Sequence, residues 1–183
     1  MWVILGFGFG VDISWWGCVL VERRSVETVM GVVNFAFSGD GLYELTLPRE
    51  GDERFSGVVD SDPEWVRRLG QDLQDYFSGS AVCFSCPVDM SGYAPFIKKA
   101  LLAAAEIFHG HVETYKGLAV VAGSPRAARA VGQAMASNRT PLVIPCHRVV
   151  CTGGGLGGFS GGLGWKERLL ALEKPREDVN TCG

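Results

Sequence analysis

Hydrophobic periodicity changes character once along this chain, and the change limits its architecture more than any other feature. Up to Leu47 the apolar residues come in short β-type runs, Met1–Phe9, Ser14–Glu22, Val29–Phe37 and Leu42–Leu47, separated by Gly, Asp and Ser clusters. That pattern predicts an antiparallel sheet. Beyond it the spacing becomes helical. Trp65, Val66, Leu69, Leu73 and Phe77 share one face, Asp62 stands where it can cap the helix, Pro63 occupies its first position, and Gly79 is placed to end it. After a link around residues 86–92, Phe96–Phe108 reads as an Ala/Leu-rich helix. Thr114–Ala122 reads as a second one, capped by Thr114. Gly123 breaks it, Ser124 can cap again, and Pro125–Ser137 follows. Two short helices around a Gly-containing turn form a helix-turn-helix pattern. A short strand, Leu142–Ile144, leads into Pro145-Cys146-His147-Arg148-Val149. A loop with eight glycines between Gly153 and Gly164 comes next, then a last helix from Trp165 to about Glu173. The reading is α/β (α+β), with one unit over residues 1–86 and a mostly helical one over 87–183.

A chain of 183 residues suits one or two small domains with a real core. No apolar run reaches membrane-spanning length. The apolar start, Met1–Val11, lacks a basic flank and meets Asp12 at once, so it reads as a buried strand rather than a secretory signal. An intracellular location is expected: cytoplasmic, or nuclear if the source is eukaryotic. Six irregularly spaced cysteines argue against a disulfide framework. The net charge of −3 hides an asymmetry. Residues 1–91 hold six Lys/Arg against fourteen Asp/Glu, and residues 92–183 hold eleven against six. Only the second half is suited to meet a polyanion.

The residues of that half carry a specific chemistry. Ala127, Ala128, Ala130, Gly132 and Ala134 are small, which lets a helix approach a groove about 6 Å wide. Arg129 is the one long side chain among them. Lys116, Arg126 and Arg139 are candidate phosphate contacts, giving affinity without sequence choice. Cys146 is a nucleophile if deprotonated, and a free thiol with pKa near ~8.5 needs help. His147 is the nearest base. On an extended segment neighbouring side chains point to opposite faces, so a water between the two fits better than direct contact. The glycine loop lacks the strand–loop–helix frame of a nucleotide fingerprint, and a flexible lid is the better reading.

Pro145-Cys146-His147-Arg148-Val149 resembles the active-site signature of the O6-alkylguanine-DNA alkyltransferases. Val112-Glu113-Thr114-Tyr115 is similar to their tyrosine-bearing start of the helix-turn-helix, and Pro125 to Gly132 to their recognition helix. Asn138 falls at the family's asparagine hinge. Ser160-Gly161-Gly162, Lys166-Glu167, Leu169-Leu170 and Glu173 follow in order and at family spacing. The likeness spans roughly Ser91–Glu173. It implies a ribonuclease-H-like first domain and a winged helix-turn-helix second one. It implies that an alkyl group moves irreversibly from O6-alkylguanine, and from O4-alkylthymine, in duplex DNA to Cys146, without a cofactor or metal, in a monomer. The catalytic set carried over is Cys146, His147, Glu173, Tyr115 and Asn138, with a Cys–water–His–Glu relay. Arg129, Tyr115, Lys116, Arg126, Ala127, Ala128 and Gly132 would meet DNA, Arg129 filling the space of a flipped nucleotide. Met135, Pro141, Val149, Phe159, Ser160 and Gly161 would line the base pocket, and Tyr115 and the Ser160 region would supply hydrogen bonds to the departing base.

This chain departs from the family at three points. Phe159 replaces the lid tyrosine, His109 and His111 flank Gly110, and no histidine precedes His109, so the zinc site of some relatives is not carried over. Cys83 and Cys86 form a C-x-x-C with no second ligand pair. Cys151 reads as packing or pocket lining, packing being favoured, and His109 and His111 as surface loop residues. Two rival functions compete: a non-catalytic helix-turn-helix DNA-binding protein, and a cysteine hydrolase of small esters or amides. Irreversible loss of one thiol on alkylated DNA separates the first; turnover without DNA affinity marks the second.

Overall fold

The structure, a computed structural model, describes residues 13–16 and 19–174. The expected strand Met1–Phe9 lies outside them. Strands β1 (Ile13–Trp16), β2 (Val19–Thr28), β3 (Gly31–Ser38) and β4 (Gly41–Thr46) form an antiparallel meander in chain order. The run expected as one strand, Ser14–Glu22, is divided, because β1 folds back on β2 with Trp16 opposite Val19. Val29 and Met30 are a hairpin tip rather than strand. Thr28 Oγ1 donates to the Gly31 carbonyl and accepts from the Met30 amide, and Gly31 takes φ +118°. One face of β3 and β4 buries Val33, Phe35, Phe37, Leu42 and Leu45.

Helix α1 (Glu64–Phe77) lays Val66, Leu69, Leu73, Tyr76 and Phe77 into that core. Gly70 lets it come close: a Cβ there would sit 3.2 Å from Val58. Asp62 does not cap α1. Its carboxylate accepts from the Val59 amide and pairs with buried Arg24, so a buried ion pair fastens β2 to the helix entry. Gly79 ends the helix as expected, its amide bonding the Tyr76 carbonyl. The link then runs beside β4. Leu42 donates to the Pro87 carbonyl and Asp89 to the Leu42 carbonyl, both at 2.8 Å. Gly41 at φ +134° is needed there, since a Cβ would lie 2.6 Å from the Pro87 oxygen.

Helices α2 (Pro95–Ala105), α3 (Tyr115–Val121) and α4 (Ala128–Ala136) pack on one another around Leu101, Leu118, Val131 and Met135. Helix α2 stops before Phe108, and the Ile107 carbonyl is taken by Arg148. Thr114 caps α3 as expected, its hydroxyl accepting from the Gly117 amide at 2.9 Å. Helix α4 begins three residues later than expected. Ser124 uses its carbonyl, not its side chain, to hold the Ala127 amide in a turn. Strand β5 (Glu113–Thr114) pairs in parallel with β6 (Val149–Val150), and α5 (Leu163–Leu172) closes the described chain.

Leu142–Ile144 is not a strand. It is a turn with Leu142 at φ +74°, a strained setting for a leucine. The turn sends Leu142 into the sheet core, where Leu169 of α5 joins it, while Ile144 and Cys146 enter the helical core. Phe159 packs against both cores. The signature segment is therefore a seam between them. No helix among the described residues is long and apolar enough to cross a membrane.

Candidate active site

Cys146, His147 and Arg148 form a single 3₁₀ turn, not the extended segment expected from sequence. Cys146 is 2% exposed and His147 fully buried. Asn138, at the end of the α4 segment, holds the turn in place. Its amide nitrogen donates to the Ile144 carbonyl at 2.8 Å and to Cys146 Sγ at 3.1 Å, and its oxygen accepts from the amide and hydroxyl of Thr140. Every polar atom of that amide is used, so the sulfur meets a fixed donor.

Burial pushes the Cys146 thiol up. The Asn138 bond, the nearby Lys166 ammonium and the backbone amides of Cys146 and His147 act against burial without cancelling it. The resting sulfur is therefore a neutral thiol. His147 is the adjacent titratable group. Its Nε2 lies 2.8 Å from Glu173 Oε1, and its Nδ1 has no hydrogen-bond partner among the described residues. The imidazole's own pKa is lowered, chiefly by burial, so the ring is neutral at rest. Glu173 is held ionised, because its bonds to His147, Arg148 and Tyr76 outweigh its burial and keep its carboxyl well below the usual range. A neutral imidazole beside a carboxylate must carry its proton on Nε2. The Nδ1 lone pair is left free to accept a proton.

Glu173 is the most connected side chain of the site. Arg148 grips it with Nε at 2.9 Å and Nη2 at 2.8 Å, the Tyr76 hydroxyl donates to Oε1 at 2.7 Å, and the Gly110 amide reaches Oε2 at 3.3 Å. Of these partners the sequence pointed only to His147. Glu173 binds neither Lys166 nor Arg168, the partners a helix-surface reading would give it.

An open pocket of about 460 Å³ is walled by Tyr115, Ala128, Arg129, Gly132, Ala136, Cys151, Gly157, Gly158, Phe159 and Ser160, with none of residues 146–148 in its lining. It joins the small-residue face of α4 to the glycine loop. Gly157, at φ +70°, lets that loop lie on Tyr115, where a Cβ would come 2.7 Å from the ring. The Tyr115 hydroxyl donates to the Gly158 carbonyl at 3.3 Å. Cys151 lines this pocket, contrary to the packing role favoured for it. Pro141, Ser160, Gly161 and Asn138 line a smaller adjoining cavity of about 250 Å³. Met135 and Val149, expected as pocket walls, are core residues that line neither.

Lys116, Arg126 and Arg129 are exposed and make no ion pair among the described residues. Arg139 is different. Its guanidinium lies 4.2 Å from the Tyr43 ring centre and 4.4 Å from that of Tyr93, and donates to the Asp89 and Ser91 carbonyls. It clamps the two halves together, its guanidinium engaged by groups of the chain itself. Lys166 is fully buried, with Nζ 2.6 Å from the Val149 carbonyl and 5.7 Å from the centre of the Tyr115 ring. Its helical position next to Trp165 gave no sign of that. His109 is half-buried edge-on against Tyr76, and His111 is exposed.

Comparison with known proteins agrees with this geometry. Residues 95–175 match the family model of the 6-O-methylguanine DNA methyltransferase DNA-binding domain. The chain is 33% identical to the human methylated-DNA–protein-cysteine methyltransferase over 85% of its length and 82% of that protein's. It is 37% identical to the Methanosarcina barkeri protein of the same name, over 81% of this chain and 94% of that one. A Mycobacterium tuberculosis OGT solved in complex with DNA superposes with a TM-score of 0.70 at 31% identity, over 83% of this chain and 92% of that one. Relatives above 30% identity, matched over most of both chains, place this chain in the methylated-DNA–protein-cysteine methyltransferase family.

Proposed function

We propose that this DNA-repair methyltransferase takes an alkyl group from O6-alkylguanine, and from O4-alkylthymine, in duplex DNA onto Cys146 Sγ, once per molecule. A buried neutral thiol beside an imidazole whose Nδ1 lone pair is free carries the reading. A bridging water passes the thiol proton to Nδ1. Sulfur then forms its bond to the alkyl carbon while the carbon–O6 bond breaks, and the electron pair leaves with guanine. Glu173 stabilises the imidazolium, and the proton returns toward the departing base. Tyr115, a donor in the pocket wall, releases Gly158 to serve the base. Asn138 fixes the sulfur. The product is a thioether, which water does not cleave, so the reaction stops.

A stacked base cannot reach a thiol that is 2% exposed, so the damaged nucleotide must be flipped into the pocket. Ala127, Ala128 and Gly132 admit the groove, Lys116 and Arg126 hold phosphate, and Arg129 on the pocket rim fills the vacated stack. Phe159, Ser160 and Gly161 cover the base, with Pro141 at its side and Met135 and Val149 supporting the wall from the core. The fold reading is a ribonuclease-H-like unit over residues 1–86 joined to a winged helix-turn-helix unit over 87–183, acting as a cytoplasmic or nuclear monomer. Intact mass of the chain after incubation with O6-methylguanine duplex tests the reading. One methyl per molecule at Cys146 is expected, and none in Cys146→Ser, which keeps its DNA affinity. Repair of many lesions per molecule would refute it.

A further inference from the structure

Tyr76 belongs to α1, in the half of the chain that showed no chemistry of its own. Its ring is fully buried, edge-on to Phe77 and His109 and tilted against Phe84. Its hydroxyl crosses the seam and ends 2.7 Å from Glu173 Oε1 and 3.5 Å from His147 Nε2. With Glu173 ionised, the hydroxyl can only donate to it. Oε1 therefore receives three donors at once: Tyr76, His147 Nε2 and Arg148 Nη2. Arg148 forks across both oxygens, its Nε on Oε2 and its Nη2 on Oε1, so Oε1 is shared between one arm of that fork, the imidazole and the Tyr76 hydroxyl.

We propose that Tyr76 is a positioning residue of the transfer site, fixing Glu173 Oε1 against the imidazole by a third hydrogen bond. The proposal rests on the relay reading of Cys146, His147 and Glu173. It makes the first half of the chain part of the site: the base that takes the thiol proton is oriented by a hydroxyl from α1. The charged and titratable groups facing the imidazole are Glu173, Arg148, Lys166, Cys146 and Tyr76 itself. Among the described residues only Tyr76 comes from the sheet-bearing half.

Tyr76→Phe keeps the ring and removes the donor. Single-turnover alkylation of Cys146 should slow by the same factor with saturating duplex and with free O6-benzylguanine, roughly tenfold, the size of one hydrogen bond to a charged group. Equal factors locate the defect in activation and not in flipping. The acidic limb of the pH–rate profile should move to lower pH, because an imidazole with weaker carboxylate support binds a proton less readily. A purely structural role would lower Tm and leave that limb in place. Wild-type rates with a superimposable profile would overturn the proposal. So would a limb moved upward with no loss of rate, since the hydroxyl would then only damp the carboxylate. His147→Ala, run alongside, separates the two levels. If it reacts at the wild-type rate, the relay itself fails; if it is slow while Tyr76→Phe is not, only the role of Tyr76 fails. Should Tyr76→Phe not fold, the unaltered chain gives the answer by NMR. A slowly exchanging Tyr76 hydroxyl proton with a cross-peak to the His147 Nε2 proton is expected, and a fast-exchanging hydroxyl would overturn the assignment.

Discussion

Glu173→Gln looks like a change to catalysis alone, but the structure makes it a change to stability as well. Glu173 is 3% exposed and Arg148 6%, and they share two short bonds. Removing the carboxylate charge strands a buried guanidinium and turns an amide NH2 toward donors from His147, Tyr76 or Gly110. Breaking a buried pair from one side costs about 3–5 kcal/mol. For a chain of this size that lowers Tm by roughly 10 °C. The pH dependence has a fixed sign. The folded carboxyl is held well below the usual range, while the unfolded one titrates near ~4.3. The contribution is thus complete above about pH 5 and lost as pH falls through the folded value. Urea unfolding of wild type and variant should give the widest gap at neutral pH, narrowing in acid. Adding Arg148→Met to Glu173→Gln should recover part of the loss, since no buried cation is then left unpaired. A loss below about 1 kcal/mol at pH 7, or a double variant no better than Glu173→Gln alone, would refute the reasoning.

Arg139→Ala should cost about 1–2 kcal/mol in urea unfolding, for two ring contacts and two carbonyl bonds, and leave the salt dependence of DNA binding unchanged. A shallower salt slope would restore the phosphate reading. Arg129→Ala should cut transfer from duplex by a large factor even at saturating DNA, while free O6-benzylguanine reacts almost normally. An unchanged saturated rate would make Arg129 an electrostatic anchor only.

What was legible in the sequence was local. The spacing of Val66, Leu69, Leu73 and Phe77 gave α1, and Thr114 three residues before Gly117 gave the start of α3, because both signals are complete within one or two turns. Leu142–Ile144 was misread for the converse reason. An apolar β-branched run is ordinarily a strand, but Pro141 and Pro145 bracket this one, and two cores pull its side chains in opposite directions. The left-handed Leu142 is the outcome of that pull. Side chains whose partners are remote were hidden altogether. Arg139 resembles any solvated arginine until Tyr43 and Tyr93, 96 and 46 residues earlier, close on it. Tyr76 lies on the apolar stripe of α1 and reads as core, which its ring is; its hydroxyl meets Glu173 97 residues on. Glu173 was placed by family likeness and not by pattern, since a carboxylate at a helix end has many ordinary uses. Cys146 and His147 thus sit within one short turn and can be read from a motif. The groups around them that bear on their protonation, Tyr76, Asn138, Lys166 and Glu173, come from α1, the end of α4 and α5, and only folding brings those together. A substitution at Tyr76, far from Cys146 in sequence, therefore changes the bonding of Glu173 without any loss of the motif.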